Sequence, residues 1–454
     1  MRTTETHVKN LIPNKIIIMG LMLLVFTAAM FTKLYYFSSI KEIVLFPDSF
    51  EYLDTSEKIA MLKMDSSRVP VYPLFIQLAK HILPWYEREM SVVYLQILIS
   101  SIGIAVLFYI SFSLFNRNLK AIIISLFTVG NIWLLNWDTL VLTESFTIFM
   151  VLIFLLLFVL YIRTKLSVFL ILIYVMNGLL IFLKPFYLFL PVVVFATLVL
   201  QNLIDGYIRK RIIIGFVSII TIYLCVFSYS WLNFMHNGYF GISNVGAINT
   251  MGKILQYRMY ELSDNERIKE YVKMETELKG GEILEPVAFI YKYGLEKNNY
   301  EEVSEFCGKI IKQNPHIFLK GTLDLVFQKK LYQWQAFCDY NVGNYIQVEP
   351  PGIFNYINKV PFINTFGFIF LIIMVDLMYI VYAFIKKHQY KWVWALISLL
   401  VIYQVVMSIV GAHGEYNRLI VPIYVLMYLI IFKYLFMIFD VVGLKMKKLI
   451  SNIC

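Results

Sequence analysis

The feature that most constrains this chain is its series of long, uninterrupted apolar runs. Several of them exceed the roughly 20 helical residues that cross a hydrocarbon layer about 30 Å thick. Their apolar residues do not alternate with polar ones, which favours spanning helices over the strands of a membrane barrel. Of the 454 residues, 59% are hydrophobic and 15% are charged, whereas soluble domains have about 45–50% and about 25%. The sequence therefore predicts an all-α integral membrane protein.

Ten spans are predicted, and their number determines on which side of the membrane each loop lies. They cover residues 16–37, 92–115, 121–137, 140–162, 166–183, 186–203, 212–234, 361–385, 392–410 and 419–439. With ten spans, all short basic segments fall on one side: Arg2, Lys9 and Lys15; Arg117 and Lys120; Arg163 and Lys165; Arg209, Lys210 and Arg211; Lys386, Lys387 and Lys391; Lys445, Lys447 and Lys448. The positive-inside rule makes that side the cytoplasm. We therefore expect a multi-pass protein of the cell membrane with both termini in the cytoplasm.

Two long polar segments remain for the extracytoplasmic side, a first loop at residues 38–91 and a long segment at residues 235–360. This arrangement predicts three parts. Residues 1–234 form an N-terminal membrane module that carries the catalytic first loop, residues 235–360 form an extracytoplasmic segment, and residues 361–454 form C-terminal spanning helices and a cytoplasmic tail.

The long segment is predicted to be rich in helix. Its charged stretches at residues 264–279 and 298–312 have helical periodicity. The stretches at residues 286–293 and 331–337 contain the aromatic residues that favour a position along the membrane surface.

The formal net charge of +10 does not indicate a nucleic-acid partner. Its basic residues cluster in short loops between spans, where they orient the protein and meet anionic lipid headgroups. The four cysteines show no metal-ligand spacing. Cys307 and Cys338 both fall in the long segment, and the sequence leaves open whether they form a disulfide or stay unpaired.

Conspicuous charged residues from distant parts of the chain are predicted to meet at the extracytoplasmic membrane interface. They are Asp48 and Arg68 in the first loop, Glu144 after Thr143, Lys184 before Pro185, and Glu415 and Arg418 before the last span. An ionisable residue at such depth indicates a functional site. For each residue alone, a helix cap or an interfacial anchor is the competing interpretation.

Group transfer from a phosphate leaving group fits this set of residues. Asp48 is suited to remove a proton from an attacking hydroxyl. Arg68, Lys184 and Arg418 are suited to stabilise the departing phosphate, and arginine can meet two phosphate oxygens at once. The two prolines at positions 70 and 73 are expected to interrupt the backbone ahead of a short helix at residues 74–82.

The ordered motifs resemble the GT-C superfamily of polytopic glycosyltransferases. An Asp-Ser pair at 48–49 is followed by Arg-Val-Pro-Val-Tyr-Pro at 68–73, Thr-Glu-Ser at 143–145 and Lys-Pro at 184–185. The resemblance resumes at residues 415–422, Glu-Tyr-Asn-Arg-Leu-Ile-Val-Pro. It is closest to the bacterial branch related to protein mannosyltransferases and to the lipid A aminoarabinose transferase.

The resemblance implies an inverting transferase that uses a polyprenyl-phosphate-linked sugar outside the cytoplasm, with a glycan, lipid or protein as acceptor. The family's catalytic carboxylate corresponds to Asp48, and its phosphate-contacting basic residues correspond to Arg68 and Lys184. The substrate-binding positions are expected to be Arg68, Tyr72, Glu144, Lys184, Glu415 and Arg418. The chain departs from its relatives at Ser49, where many have a second acidic residue, and at Lys184, where many have arginine.

Some members of this superfamily use a divalent metal ion. No cluster with metal-ligand spacing is visible in this sequence, and His413 and Glu415 are the only candidates. No cofactor is therefore predicted.

Two other functions remain alternatives. One is a polysaccharide polymerase or ligase, which also handles lipid-linked glycans. The other is a transporter or flippase, for which inverted repeats and charges near the membrane midplane are typical. No such symmetry is visible, and Asp376 in the eighth predicted span is the only clear mid-span charge. The sequence does not identify the sugar, the acceptor or the oligomeric state.

Overall fold

The structure is a computed structural model that describes residues 15–40, 43, 45–206, 209–278, 300–326, 366–385, 390–413 and 416–453. Every regular element in these ranges is helical. The all-α prediction is therefore confirmed. The N-terminal helices are α1 (Lys15–Ile40), α2 (Pro47–Ala60), α3 (Val71–Ile82), α4 (Arg88–Phe115), α5 (Asn118–Val129), α6 (Ile132–Asp138), α7 (Thr143–Thr164), α8 (Ser167–Leu183), α9 (Leu190–Asp205) and α10 (Arg209–Asn237).

Seven helices within the described residues are long and apolar enough to cross a membrane. They coincide with seven of the ten predicted spans. The other three predicted spans contain shorter apolar helices, namely Asn118–Val129, Ser167–Leu183 and Ile373–Ile385. The chain is thus an integral membrane protein, while the ten-span topology and its sidedness stay predictions.

The third predicted span, at residues 121–137, is not one continuous helix. It is divided into α5 and α6 by a break at Gly130 and Asn131. The Asn131 side chain explains the break, because its Oδ1 accepts a hydrogen bond from the Leu134 N–H at 3.3 Å and its Nδ2 donates to the Tyr428 hydroxyl. Asparagine caps a new helix in this way and satisfies a backbone donor at the helix start.

The first loop contains two helices, and the sequence analysis foresaw only one of them. Helix α2 begins at Pro47, where proline is tolerated because a first-turn N–H has no partner within the helix. Helix α3 begins at Val71 instead of residue 74. The expectation that both prolines precede this helix was wrong, because Pro73 lies in its first turn, where no N–H is needed.

The long segment begins with helices that share a small core of their own. These are α11 (Val245–Gln256), a 3₁₀ turn at Met259–Leu262, α12 (Glu266–Leu278), α13 (Tyr300–Gln313) and α14 (Pro315–Val326). Their core includes Met251, Ile254 and Cys307. The predicted helical stretches at residues 264–279 and 298–312 match α12 and α13. The predicted surface stretches at residues 286–293 and 331–337 lie outside the described residues.

Cys307 is a free, buried thiol whose Sγ lies 3.7 Å from Met251 Sδ. Of the two alternatives left open by the sequence, the structure has the unpaired one at this residue. Cys338 lies outside the described residues.

The C-terminal helices are α15 (Phe366–Ile385), α16 (Lys391–Gly411), the short α17 (Tyr416–Ile420), a 3₁₀ turn at Val421–Ile423, and α18 (Tyr424–Ile453). Side chains of α16 and α18 join those of α4, α7 and α8 in the main apolar core.

One end of this bundle carries the first loop and is here called the loop end. Helices α1 and α8 end there, and helices α4 and α7 begin there. The predicted division into three parts is not tested by these helices and stays a prediction.

Candidate active site at the loop end of the helix bundle

Asp48 is the second residue of helix α2, in its first turn. The helix start is closed by the Phe46 N–H, which donates to Ser49 Oγ at 3.0 Å. Free N–H groups and the helix dipole favour a carboxylate at this end of a helix. The start of helix α2 therefore places Asp48 at the edge of the loop end and favours its ionised form.

Arg68 reaches Asp48 from the turn between α2 and α3. Its Nη2 donates to Asp48 Oδ1 at 2.6 Å. The guanidinium also lies over the Tyr52 ring, with its central carbon 4.6 Å from the ring centroid. One oxygen of Glu51 accepts from Arg68 Nε at 2.9 Å and from Nη2 at 2.8 Å. Arg68 is thus held flat between an aromatic face and two carboxylates.

Arg418 approaches the other oxygen of Asp48 from helix α17, 370 positions later in the chain. Its Nη1 lies 2.7 Å from Asp48 Oδ2. Its Nε donates to Glu144 Oε1 at 2.8 Å. One planar guanidinium therefore connects the first loop to the start of helix α7.

Glu144 and Lys184 complete the arrangement in the interior. Lys184 Nζ, in the turn after α8, donates to the same Glu144 Oε1 at 3.0 Å. The side chain of Glu144 is fully buried, and that of Lys184 is 10% exposed. Among the described residues, Glu144 Oε2 has no hydrogen-bond partner.

The result is a row of ion pairs with alternating charge, here called the ion-pair row: Glu51, Arg68, Asp48, Arg418, Glu144 and Lys184. It runs from the half-exposed Glu51 to the fully buried Glu144. Burial disfavours the charged form of Asp48, but Arg418 and Arg68 outweigh that effect and hold its pKa well below the usual value. Asp48 is therefore ionised at any physiological pH.

The structure brings together five of the seven predicted site residues: Asp48, Arg68, Glu144, Lys184 and Arg418. Tyr72 lies behind them. Its ring packs edge-on against Tyr52, and its hydroxyl donates to Gln96 Oε1 at 2.6 Å, fully buried. Its hydroxyl therefore contacts Gln96, and its ring supports Tyr52. Glu415 lies outside the described residues.

Sequence reasoning missed three contributors to the site. Glu51 and Tyr52 follow the Asp-Ser pair at 48–49, but nothing in the sequence indicated that both contact Arg68. Gln96 of helix α4 was not noticed, although its amide donates to the Asp138 and Leu140 carbonyls just before Glu144. A glutamine inside a strongly apolar run was the available signal, since such a group needs partners when it is buried.

The sequence analysis was wrong to treat Asp376 as the only mid-span charge. Lys433 lies in the last predicted span, and its Nζ is 2.5 Å from Asp376 Oδ1. Lys33 of helix α1 likewise lies 2.5 Å from Asp138 Oδ2. Both pairs are buried, because a charge at this depth is tolerated when it is paired.

Within the described residues, no three His, Cys, Asp or Glu side chains come together as a metal site. His413 is present at the loop end, but its proposed companion Glu415 is not among those residues. The metal prediction is therefore not tested.

Comparisons with known proteins place the fold. No protein-family model matches the chain, and no curated protein matches it. Among solved structures, the fold is similar to that of the archaeal oligosaccharyltransferase AglB from Archaeoglobus fulgidus in complex with an inhibitory peptide and a dolichol-phosphate, with a TM-score of 0.51 and 12% sequence identity. The match covers 97% of this chain and 52% of that one, so the chain spans about half the length of the archaeal enzyme.

At this identity the likeness concerns the fold alone. The fold is an all-helical membrane architecture similar to that of the archaeal protein. It agrees with the fold class predicted from the sequence motifs, although the two rest on independent observations.

Proposed function

We propose that this protein is a glycosyltransferase that moves a sugar from a polyprenyl-phosphate-linked donor to an acceptor outside the cytoplasm, with inversion. The observation that carries the proposal is the ion-pair row, in which a carboxylate lies between two guanidiniums at the end of a GT-C-like bundle. The similar archaeal structure holds a dolichol-phosphate, which supports a lipid-linked donor. The resemblance of the motifs to the bacterial branch is part of the same proposal.

Arg68 provides the binding position for the donor phosphate in this proposal. One oxygen of Glu51 lies against the edge formed by Nε and Nη2, at 2.9 and 2.8 Å. This is the position in which a guanidinium fork holds a phosphate oxygen. The Glu51 side chain is 52% exposed, whereas that of Arg68 is 12% exposed. A phosphate can therefore displace Glu51 without disturbing the buried part of the row.

Asp48 acts as the general base for the acceptor hydroxyl in this proposal. Its low pKa keeps it ionised, but a low pKa also makes a carboxylate a weak base. The donor phosphate also interacts with Arg68 and Arg418, the two guanidiniums that lower the pKa of Asp48. Binding of the donor therefore strengthens Asp48 as a base at the moment when the sugar is in place.

The inner part of the row keeps Arg418 in position beside Asp48 and the donor phosphate. Glu144 orients Arg418 and Lys184, since its Oε1 accepts from both. Preorganised cations in a site shielded from water stabilise developing negative charge better than solvent does. The apolar surface of the surrounding helices accepts the polyprenyl tail, so the donor stays in the membrane.

The role of Arg68 is tested by Arg68→Lys. Lysine keeps the charge but has no planar fork, so it cannot contact Asp48 and hold a phosphate oxygen along one edge. We expect turnover of a polyprenyl-phosphate sugar to fall about 10–100-fold, the cost of one to two charge-assisted hydrogen bonds. The measurement is transfer by purified protein at a fixed donor concentration.

Arg88→Lys is the matched control, because Arg88 also pairs with two carboxylates, Glu57 and Glu89, outside the ion-pair row. Its turnover is expected to equal that of the wild type. Wild-type turnover in Arg68→Lys as well would show that Arg68 only anchors the loop. It would contradict the proposal that Arg68 binds the donor phosphate.

The extracytoplasmic location of the site is tested by cysteine labelling in whole cells. In a background whose four native cysteines are replaced by serine, we compare Lys63→Cys with Arg163→Cys. Both positions are exposed, so sidedness alone decides labelling. A membrane-impermeant maleimide is expected to label position 63 and to leave position 163 unlabelled until the cells are opened. The reverse pattern would place the site in the cytoplasm.

A further inference from the structure

The two arginines that contact Asp48 come from segments far apart in sequence, and one short stretch of the long segment contacts the chain just before each of them. It comprises Ser243, Asn244, Asn249, Gly252 and Lys253, here called the clamp. We propose that the clamp is the positioning element that sets Arg68 and Arg418 on either side of Asp48. This inference rests on the proposed function and adds residues that the site itself does not contain.

The first half of the clamp holds the turn that carries Arg68. Ser243 Oγ donates to the Ser67 carbonyl at 2.6 Å, directly before Arg68. The Asn244 N–H donates to the Ser66 carbonyl at 2.9 Å, and its side-chain amide donates to Ser66 Oγ at 3.3 Å. Three hydrogen bonds from two neighbouring residues thus fix a turn that has no regular structure of its own.

The second half holds the segment that leads to Arg418. Lys253 Nζ donates to the Ile409 carbonyl at 2.5 Å. This carbonyl lies in the last turn of α16, where carbonyls lack partners within the helix and a cation is favoured. The His413 N–H donates to Asn249 Oδ1 at 3.1 Å. Helix α11 therefore holds the chain at two points just before Arg418.

Close packing at Gly252 makes this second contact sensitive to a single methyl group. A Cβ at Gly252 would lie 2.3 Å from Cγ of the His413 ring, so the ring would have to move. Gly246 lies in the same helix with nothing within 4 Å of a Cβ. Replacement by alanine favours the helix at both glycines, Gly246 in the first turn of α11 and Gly252 in its interior. Gly246→Ala therefore controls for the general effect of alanine on α11, and only Gly252→Ala adds the contact with His413.

The experiment measures binding of a short-chain polyprenyl monophosphate to the purified full-length protein in detergent. Gly252→Ala is expected to raise the dissociation constant about 10–100-fold, the cost of misplacing one guanidinium. Gly246→Ala is expected to leave it unchanged. Ser243→Ala is expected to weaken binding through Arg68 in the same way, and the melting temperature of each variant is recorded.

A double-mutant cycle distinguishes positioning from general destabilisation. The effect of Gly252→Ala should largely vanish in an Arg418→Lys background and persist in an Arg68→Lys background. The effect of Ser243→Ala should show the opposite pattern. Equal losses in both backgrounds, or unchanged binding in Gly252→Ala, would overturn the clamp while leaving the phosphate site intact. Failure of the wild-type protein to bind the phosphate would overturn the proposed function itself, and the clamp with it.

Discussion

Asp48→Asn is expected to reduce sugar transfer by about 10²–10⁴-fold, the usual contribution of a positioned general base. The amide keeps the size of the side chain but cannot accept the proton of an acceptor hydroxyl. It also removes the negative charge that both Arg68 and Arg418 contact, at 2.6 and 2.7 Å. The measurement is transfer by purified protein with saturating donor, so that the chemical step is observed.

Asp54→Asn is the control for this substitution. Asp54 lies on the same helix, pairs with Lys58 and has a side chain that is 60% exposed. Its transfer rate is expected to match that of the wild type. Undiminished transfer in Asp48→Asn would remove the proposed base and would favour a polymerase or ligase that activates its acceptor elsewhere.

Glu144→Gln is expected to have the largest effect on stability. Glu144 is fully buried, and its Oε1 accepts from both Arg418 and Lys184. Neutralising it removes the counter-ion of the buried Lys184 and leaves Arg418 with Asp48 alone. Removing one partner of a buried ion pair costs about 3–5 kcal/mol, so we expect a clearly lower melting temperature in detergent, followed by tryptophan fluorescence.

Glu57→Gln is the comparison for this prediction. Glu57 pairs with Arg88, and its side chain is 54% exposed. Exposed pairs contribute roughly 0–1 kcal/mol, so its melting temperature should stay close to that of the wild type. Equal melting temperatures for Glu144→Gln and the wild type would contradict the buried ion-pair row.

The apolar runs allowed the spanning helices to be predicted because a membrane places a strict demand on length and composition. The errors arose where a single residue changes the hydrogen bonding of the backbone, either by accepting from a backbone N–H or by having no N–H of its own. Asn131 starts a new helix inside an apolar run, and Pro73 is accepted in the first turn of α3. Helix α2 was missed because its sequence shows no long apolar face.

The residues of the candidate site could be predicted because topology brings distant loops to one face of the bundle. Asp48, Arg68, Glu144, Lys184 and Arg418 were selected on that basis, and in the structure they lie in one row. Their partners could not be predicted, since a loop position limits where a side chain lies and not what it contacts. The paired mid-span charges Lys33 and Lys433 show the same limit.

The sequence by itself determined that this is a helical membrane protein, because the amount and continuity of apolar residues permit no soluble alternative. It also indicated which charged residues lie at the ends of the helices. Only the tertiary structure decided that Asp48 lies between two arginines. It also decided that Ser243 contacts Ser67, just before Arg68, and that Gly252 packs beside His413, just before Arg418. The physical reason is that burial in lipid follows from local composition, whereas the ion pairs of Arg418 with Asp48 and Glu144, at 2.7 and 2.8 Å, depend on side chains hundreds of residues apart.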